Sequence, residues 1–161
     1  MSLTEVSSIL WRERELLDLL LFKLEEEQLL LAAGRTRWLA HATREVEMVL
    51  GEMKRMELGR AVEVEAVAVS LGLDPGVSLR ELSEAAPPPW GGILREHRTA
   101  FLTATQEITA LAKSNRDLLA HGYKAARDTL LSLSEPDAKT YAPDGQSVHS
   151  TRGPRLLNEA I

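Results

Sequence analysis

The sequence predicts an all-α fold: three long helices in an antiparallel, coiled-coil-like hairpin or bundle, one short extra helix and a mobile C-terminal tail. Three observations predict it. Leu3, Leu10, Leu17, Leu24 and Leu31 recur every seven residues, the spacing that keeps one helix seam facing a partner. Aromatics make up only 4% of the 161 residues, so the core must be Leu, Ala, Val and Met, which suits helix-on-helix packing better than a sheet sandwich. Two Ser-x-x-Glu boxes and a few Gly and Pro breaks cut the periodic stretches into helix-sized pieces.

The first box, Ser2-Leu3-Thr4-Glu5, opens a helix that runs to Ala33, with Gly34 as its left-handed stop. Ile9, Leu16 and Leu30 flank the leucine seam, Val6 and Leu20 add to it, and Arg12, Arg14, Glu15, Asp18, Glu25 and Glu26 fall mostly on the other side. Thr36 is placed to cap a second helix, in which Leu39, Val46 and Met53 form a heptad line with Val49, Leu50 and Met56 beside it. The pattern weakens at Gly59-Arg60 and resumes at Val62, Val64, Val67 and Leu71. Val62 to Val69 alternates in part like a strand, but a lone strand has nothing to pair with, so the stretch reads as helix. The short connection at Gly34 makes these two helices antiparallel neighbours.

Asp74-Pro75-Gly76 carries turn chemistry. Ser78-Leu79-Arg80-Glu81 then caps a helix of a turn or two, which Pro87-Pro88-Pro89 ends, and Gly91-Gly92 reads as a linker. A third long helix runs from Ile93 to about Leu133. Leu94, Phe101 and Ile108 keep heptad spacing and lead to Asn115, after which the apolar line shifts to Ala112, Leu119, Ala126 and Leu133. Asn115 therefore has two readings: it fixes register inside the bundle, or the shift rotates it to the surface. Beyond Ser134 periodicity stops. Residues 1–134 form the helical domain, and 135–161 are expected to be a flexible tail.

Composition excludes several function classes. The formal net charge of −5 argues against nucleic-acid binding, which needs clustered Lys and Arg. Cysteine is absent, which removes disulfides, thiol catalysis and thiolate metal sites. No secretory signal pattern opens the chain, and the densest apolar run, Leu16 to Phe22, is too short to span a bilayer. A soluble, cytoplasmic protein is expected. His41, His97, His121 and His149 are scattered singly, without the pairing that zinc requires, and read as surface residues. Glu25, Glu26 and Glu27 point about 100° apart along a helix and cannot converge on one ion. Glu25 and Glu26 read as a solvated face and Glu27 as the edge of the seam. No phosphate loop, nucleophile elbow or dinucleotide fingerprint is present, so neither an enzyme nor a cofactor is expected. A leucine-zipper transcription factor would need a basic region before Leu3, and none stands there. An intramolecular hairpin accounts for the repeat better.

The chain resembles the FlgN family of bacterial flagellar export chaperones. The likeness rests on the leucine-rich first helix, the Gly-bearing connection, the second long helix, the Asn115-Arg116-Asp117-Leu118-Leu119 stretch and the tail segment Thr140-Tyr141-Ala142-Pro143-Asp144-Gly145-Gln146. The last is similar to the family's Tyr-x-x-x-Gly ending. The family often has a second Asn three residues before the first, where this chain has Ala112. The resemblance implies a cytoplasmic chaperone that binds hook-associated proteins through their C-terminal segments, prevents premature aggregation and delivers them to the export gate. On this reading Asn115, Leu118, Leu119, Tyr123, Ala126 and Leu130 serve cargo, and Tyr141, Asp144 and Gly145 serve gate docking. The partners are those proteins and the gate, with no nucleic acid and no membrane insertion, and the chain is a monomer without cargo. The rival reading is a structural coiled-coil homodimer zipped by the same leucines, and a weaker third is a helical enzyme.

Overall fold

The computed structural model describes residues 2–134. They form α1 (Leu3–Ala32), α2 (Thr36–Ser70), α3 (Leu79–Ala85) and α4 (Trp90–Ser134), with no strand among the described residues. Val62 to Val69 is helical, as expected. The chain divides after Ala120 into two units, and the described part of the second is the end of α4.

The helix ends follow local chemistry. Ser2 Oγ accepts from the Glu5 N–H at 3.3 Å, and the Glu5 carboxylate accepts from the Ser2 N–H at 2.6 Å. Ser78 and Glu81 repeat the arrangement at 3.2 and 2.8 Å. Each box satisfies two amides that a helix start leaves open, and the bonds hold both carboxyls below the usual range. Gly34 and Gly72 have φ of 64° and 72°, and both close Schellman turns. Gly34 N–H donates to the Leu31 carbonyl and Arg35 N–H to that of Leu30; Gly72 N–H donates to the Val69 carbonyl and Leu73 N–H to that of Ala68.

Two expectations need correction here. Thr36 does not cap α2. Arg35 takes the N-cap position without a side-chain bond, because its carbonyl already accepts from Trp38 N–H at 3.1 Å and draws Thr36 into the first turn. Gly91-Gly92 is not a linker either. Both residues lie in the first turn of α4, and a Cβ on Gly91 would stand 2.8 Å from the Ser83 carbonyl. The glycine is there because the end of α3 crosses α4 at backbone distance.

Within the first unit, α1 is the shared element. Glu27 meets Thr43, Lys23 meets Glu45 and Glu13 meets Arg60, so α2 runs antiparallel to α1. Ser7 meets His97, Leu24 meets Asn115 and Gln28 meets Ser114, so α4 runs parallel to α1 and antiparallel to α2. One core cluster joins Val6, Leu10, Val67, Leu82 and Leu94, with Leu82 brought in by α3. The other joins Leu20, Leu24, Val46 and Val49, with Met53, Ile108, Leu111 and Ala112 packed on it. Each large aliphatic side chain buried this way contributes roughly 1.5–3 kcal/mol. Of the predicted α2 positions, Leu50 and Val62 are exposed instead. The inward-facing line steps through Ala42, Val46, Val49, Met53, Arg60, Val64 and Val67, and those two residues lie off it.

His97 also departs from expectation. His41 and His121 are exposed and His149 lies outside the described residues, but His97 is buried. It occupies the heptad position between Leu94 and Phe101. Its Nε2 lies 3.4 Å from Ser7 Oγ, and the Trp11 ring stands edge-on at 5.0 Å. Desolvation, then the nearby Arg14 charge, hold its pKa below the usual 6.5, against a smaller opposing effect of Glu96.

Two predictions follow from this packing. Gly91→Ala must displace backbone at Ser83 and is expected to cost about 1–3 kcal/mol. Gly92→Ala meets only the far end of Arg95 and is expected to be neutral or to stabilise by up to about 1 kcal/mol. Denaturant melts of the two variants make the comparison. The second prediction concerns acid. A histidine whose folded pKa is depressed takes up protons more readily when unfolded. Its stabilising contribution is therefore complete above pH 6.5 and is lost as pH falls through the depressed folded value. Glu13, whose carboxyl burial pushes up, works in the opposite sense. The expected result is a fall in melting temperature between pH 7.5 and 5.5 that is smaller in His97→Gln.

Candidate functional site

Packing along α4 ends at Asn115, and the structure resolves the two readings of that residue. Asn115 is 3% exposed. Its Nδ2 donates to the Leu24 carbonyl at 2.9 Å and to Glu27 Oε1 at 3.2 Å. Glu27 in turn accepts from Thr43 Oγ1 at 3.2 Å. The asparagine therefore ties α4 to α1 through a carbonyl that α1 does not otherwise offer to a side chain, and Glu27 extends the tie to α2. This is the register-fixing role that a polar residue plays in a helical seam. Its Nδ2 is committed inside the bundle, while its Oδ1 is buried and accepts no hydrogen bond among the described residues.

Beyond Asn115 every described residue is exposed. Leu118 and Leu119, in the turn that closes the first unit, are 36% and 53% exposed. In the second unit Tyr123, Ala126, Leu130 and Leu133 follow at three- and four-residue steps, which places them on one helix face. Tyr123, Leu130 and Leu133 are 74%, 68% and 71% exposed. Lys124 and Asp128 fall on the opposite side by the same stepping, and Arg127 borders the stripe one turn beyond Tyr123. Leu131 is exposed as well but lies off the stripe. Helices of this length draw most of their stability from a packed apolar face, and this face has none of its large apolar side chains buried among the described residues. Tyr141, Asp144 and Gly145 lie outside the described residues.

Among the described residues no group of three or more metal-ligating side chains converges, and no helix is long and apolar enough to cross a membrane. A buried charge, Glu13, and its half-buried partner Arg60 escaped the reading by pattern. The two pair across α1 and α2 at 3.4 Å. The signal was available: Val6, Glu13, Leu20 and Glu27 form the second heptad line of α1, and Glu13 interrupts it with a charge.

Truncating Asn115 leaves the Leu24 carbonyl without its side-chain donor, so Asn115→Ala is expected to cost about 1–3 kcal/mol. Leu119→Asp acts on an exposed position and is expected to change stability by no more than about 0.5 kcal/mol. Thermal unfolding of both variants distinguishes the buried anchor from the surface beyond it.

A family model described as FlgN protein matches residues 1–149. No curated protein and no solved structure matches. The family match takes in all four helices, the buried asparagine and the bare end of α4, and it covers most of the chain. The protein belongs to the FlgN family, the flagellar export chaperone family.

Proposed function

We propose that this chain is a cytoplasmic flagellar type III export chaperone that binds hook-associated proteins by their C-terminal segments, prevents their premature aggregation and delivers them to the export gate. The observation that carries this reading is the uncovered apolar face at the end of α4, in a chain of an export chaperone family. An amphipathic segment of the cargo lies on the second unit's Tyr123, Ala126 and Leu130, as helices lie on apolar faces elsewhere, and the first unit's Leu118 and Leu119 are assigned to cargo as well. Each leucine covered in this way contributes roughly 1.5–3 kcal/mol, less the cost of ordering the cargo segment. Asn115 positions this face from within. The same face, when occupied, withholds from self-association the cargo surface that pairs with it.

The homodimer reading has less support. Leu10, Leu17 and Leu24, the leucines a zipper would use, are buried inside one chain. The chaperone is accordingly a monomer without cargo, which light scattering over a range of concentrations measures directly. Gate docking falls to Tyr141 with Asp144 and Gly145, in the segment that the resemblance sets apart. A tyrosine combines apolar area with a hydroxyl that stays hydrated, which suits an anchor in a receptor pocket.

Co-expression with hook-associated proteins and pull-down tests the cargo assignment. Leu119→Asp and Leu130→Asp are expected to lose the cargo while keeping the wild-type melting temperature; normal cargo recovery by both variants would falsify the assignment. Tyr141→Ala is expected to leave helicity, melting temperature and cargo affinity unchanged while weakening gate binding. A loss of about 2 kcal/mol at an interface tyrosine corresponds to roughly thirtyfold in affinity. A drop of several degrees in melting temperature would instead place the ring on the folded bundle.

A further inference from the structure

The two core clusters are separated by a charged waist, and a pocket opens there that neither the core nor the α4 surface uses. Glu13 and Leu17 of α1 form its floor. Met53, Glu57 and Arg60 of α2 make one wall, and Phe101 and Thr105 of α4 make the other. Its volume is about 130 Å³, room for about four waters. The Glu13 side chain is only 8% exposed, while that of Arg60 is 35% exposed. Glu13 Oε1 is sealed from solvent and makes no hydrogen bond among the described residues. Its one charged neighbour of opposite sign, Arg60 Nε, stands at 3.4 Å, an ion pair without hydrogen-bond geometry. Glu57 at the rim adds a second carboxylate, close enough to disfavour the Glu13 charge. The pocket thus holds two acidic groups against one guanidinium.

We propose that this pocket receives the side chain of a lysine carried by a polypeptide partner laid along the groove between α2 and α4. The four-carbon stem lies against Leu17, Met53 and Phe101, and the ammonium group meets Glu13 and Glu57. Three features select this occupant. A buried carboxylate short of hydrogen bonds favours a donor cation over a neutral group. The apolar walls suit an alkyl stem and offer a chain of waters few partners, since each needs two to four. Arg60 already fills one flank with a planar group, and a compact ammonium with three donors fits the remaining space better than a second guanidinium. The site lies wholly within the first unit and is independent of the α4 face assigned to cargo.

The test is an NMR titration of the full chain with Nα-acetyl-lysine N-methylamide, alongside its neutral norleucine counterpart and putrescine as a free amine. The lysine probe is expected to give saturable shifts at Leu17, Met53, Phe101 and Thr105, with a Kd on the order of millimolar. The norleucine probe is expected to give none. Glu13→Gln should weaken lysine binding at least tenfold, and Glu57→Gln, which changes a rim residue, severalfold; if circular dichroism shows Glu13→Gln unfolded, Glu57→Gln decides. Absence of saturable shifts would mean a merely hydrated pocket. Equal shifts from norleucine would mean an apolar one, and tighter binding of putrescine than of the lysine probe a free-amine site. Any of these three overturns the proposal, as does unchanged binding in the glutamine variants.

Discussion

The bundle depends on α1 serving two partners along one seam. The backbones of α1 and α2 approach most closely, and α4 stands further off, so α1 cannot be removed without separating the other two. A purely aliphatic seam would let each neighbour slide by a turn at little cost, because leucine packs on leucine in many registers. Polar residues set into the seam prevent this. Ser7 faces His97, Glu13 faces Arg60, and Glu27 faces both Thr43 and Asn115. A slip of one turn would strand each of these groups in an apolar setting, and a stranded buried polar group costs about 1–3 kcal/mol. Specificity of register is thus obtained from groups that add little net stability themselves.

That arrangement explains what could be read from the sequence and what could not. Helix type and helix ends were legible because their causes are local. Ser2 with Glu5, Ser78 with Glu81, and Gly34 act within a few residues of chain, and the leucine line of α1 identifies its seam by period alone. The weakening of the α2 pattern at Gly59-Arg60 was visible, but its meaning was not. Arg60 lies on the buried line of α2 because Glu13, forty-seven residues earlier in the chain, needs a counter-charge there. His97 was misjudged for the same reason: a single histidine says nothing of Ser7 and Trp11 until α4 is laid along α1. Gly91 required knowing that the Ser83 carbonyl crosses the start of α4. The candidate site was half legible. Its apolar stepping from Leu119 to Leu133 was plain, while the inward turn of Asn115 rested on the carbonyl of Leu24, a backbone atom that no side-chain pattern displays.

The core is modest for the length of its helices. It falls into two clusters with the charged Glu13 layer between them, and α3 supplies Leu82 to close one end. Stability in such a bundle is distributed along the seam, and single losses are felt locally before they are felt globally. The waist is the natural place for this unevenness to show. Burial raises the Glu13 carboxyl above its usual range even with Arg60 beside it, so the Arg60 contact does not fully offset the cost of burying this group.

The end of α4 carries the contrast furthest. From Arg116 onward no described residue is buried, so packing within the described residues gives this length of helix little support. The Lys113–Asp117 ion pair at 3.0 Å is exposed at both ends, and pairs of that kind contribute about 0.3–0.5 kcal/mol. Gly122 sits within the segment with nothing within 4 Å of where its Cβ would be, and it costs roughly 1 kcal/mol relative to alanine. A helix so weakly supported opens far more readily than the seam behind it. Covering its apolar face would supply the packing that it lacks, and part of the free energy of that contact goes into stabilising the helix itself. Affinity is thereby moderated while the contact area stays large. On the function proposed above, a receiving surface built on a weakly supported length of helix favours release, and Asn115 is the last buried residue of α4 among the described residues.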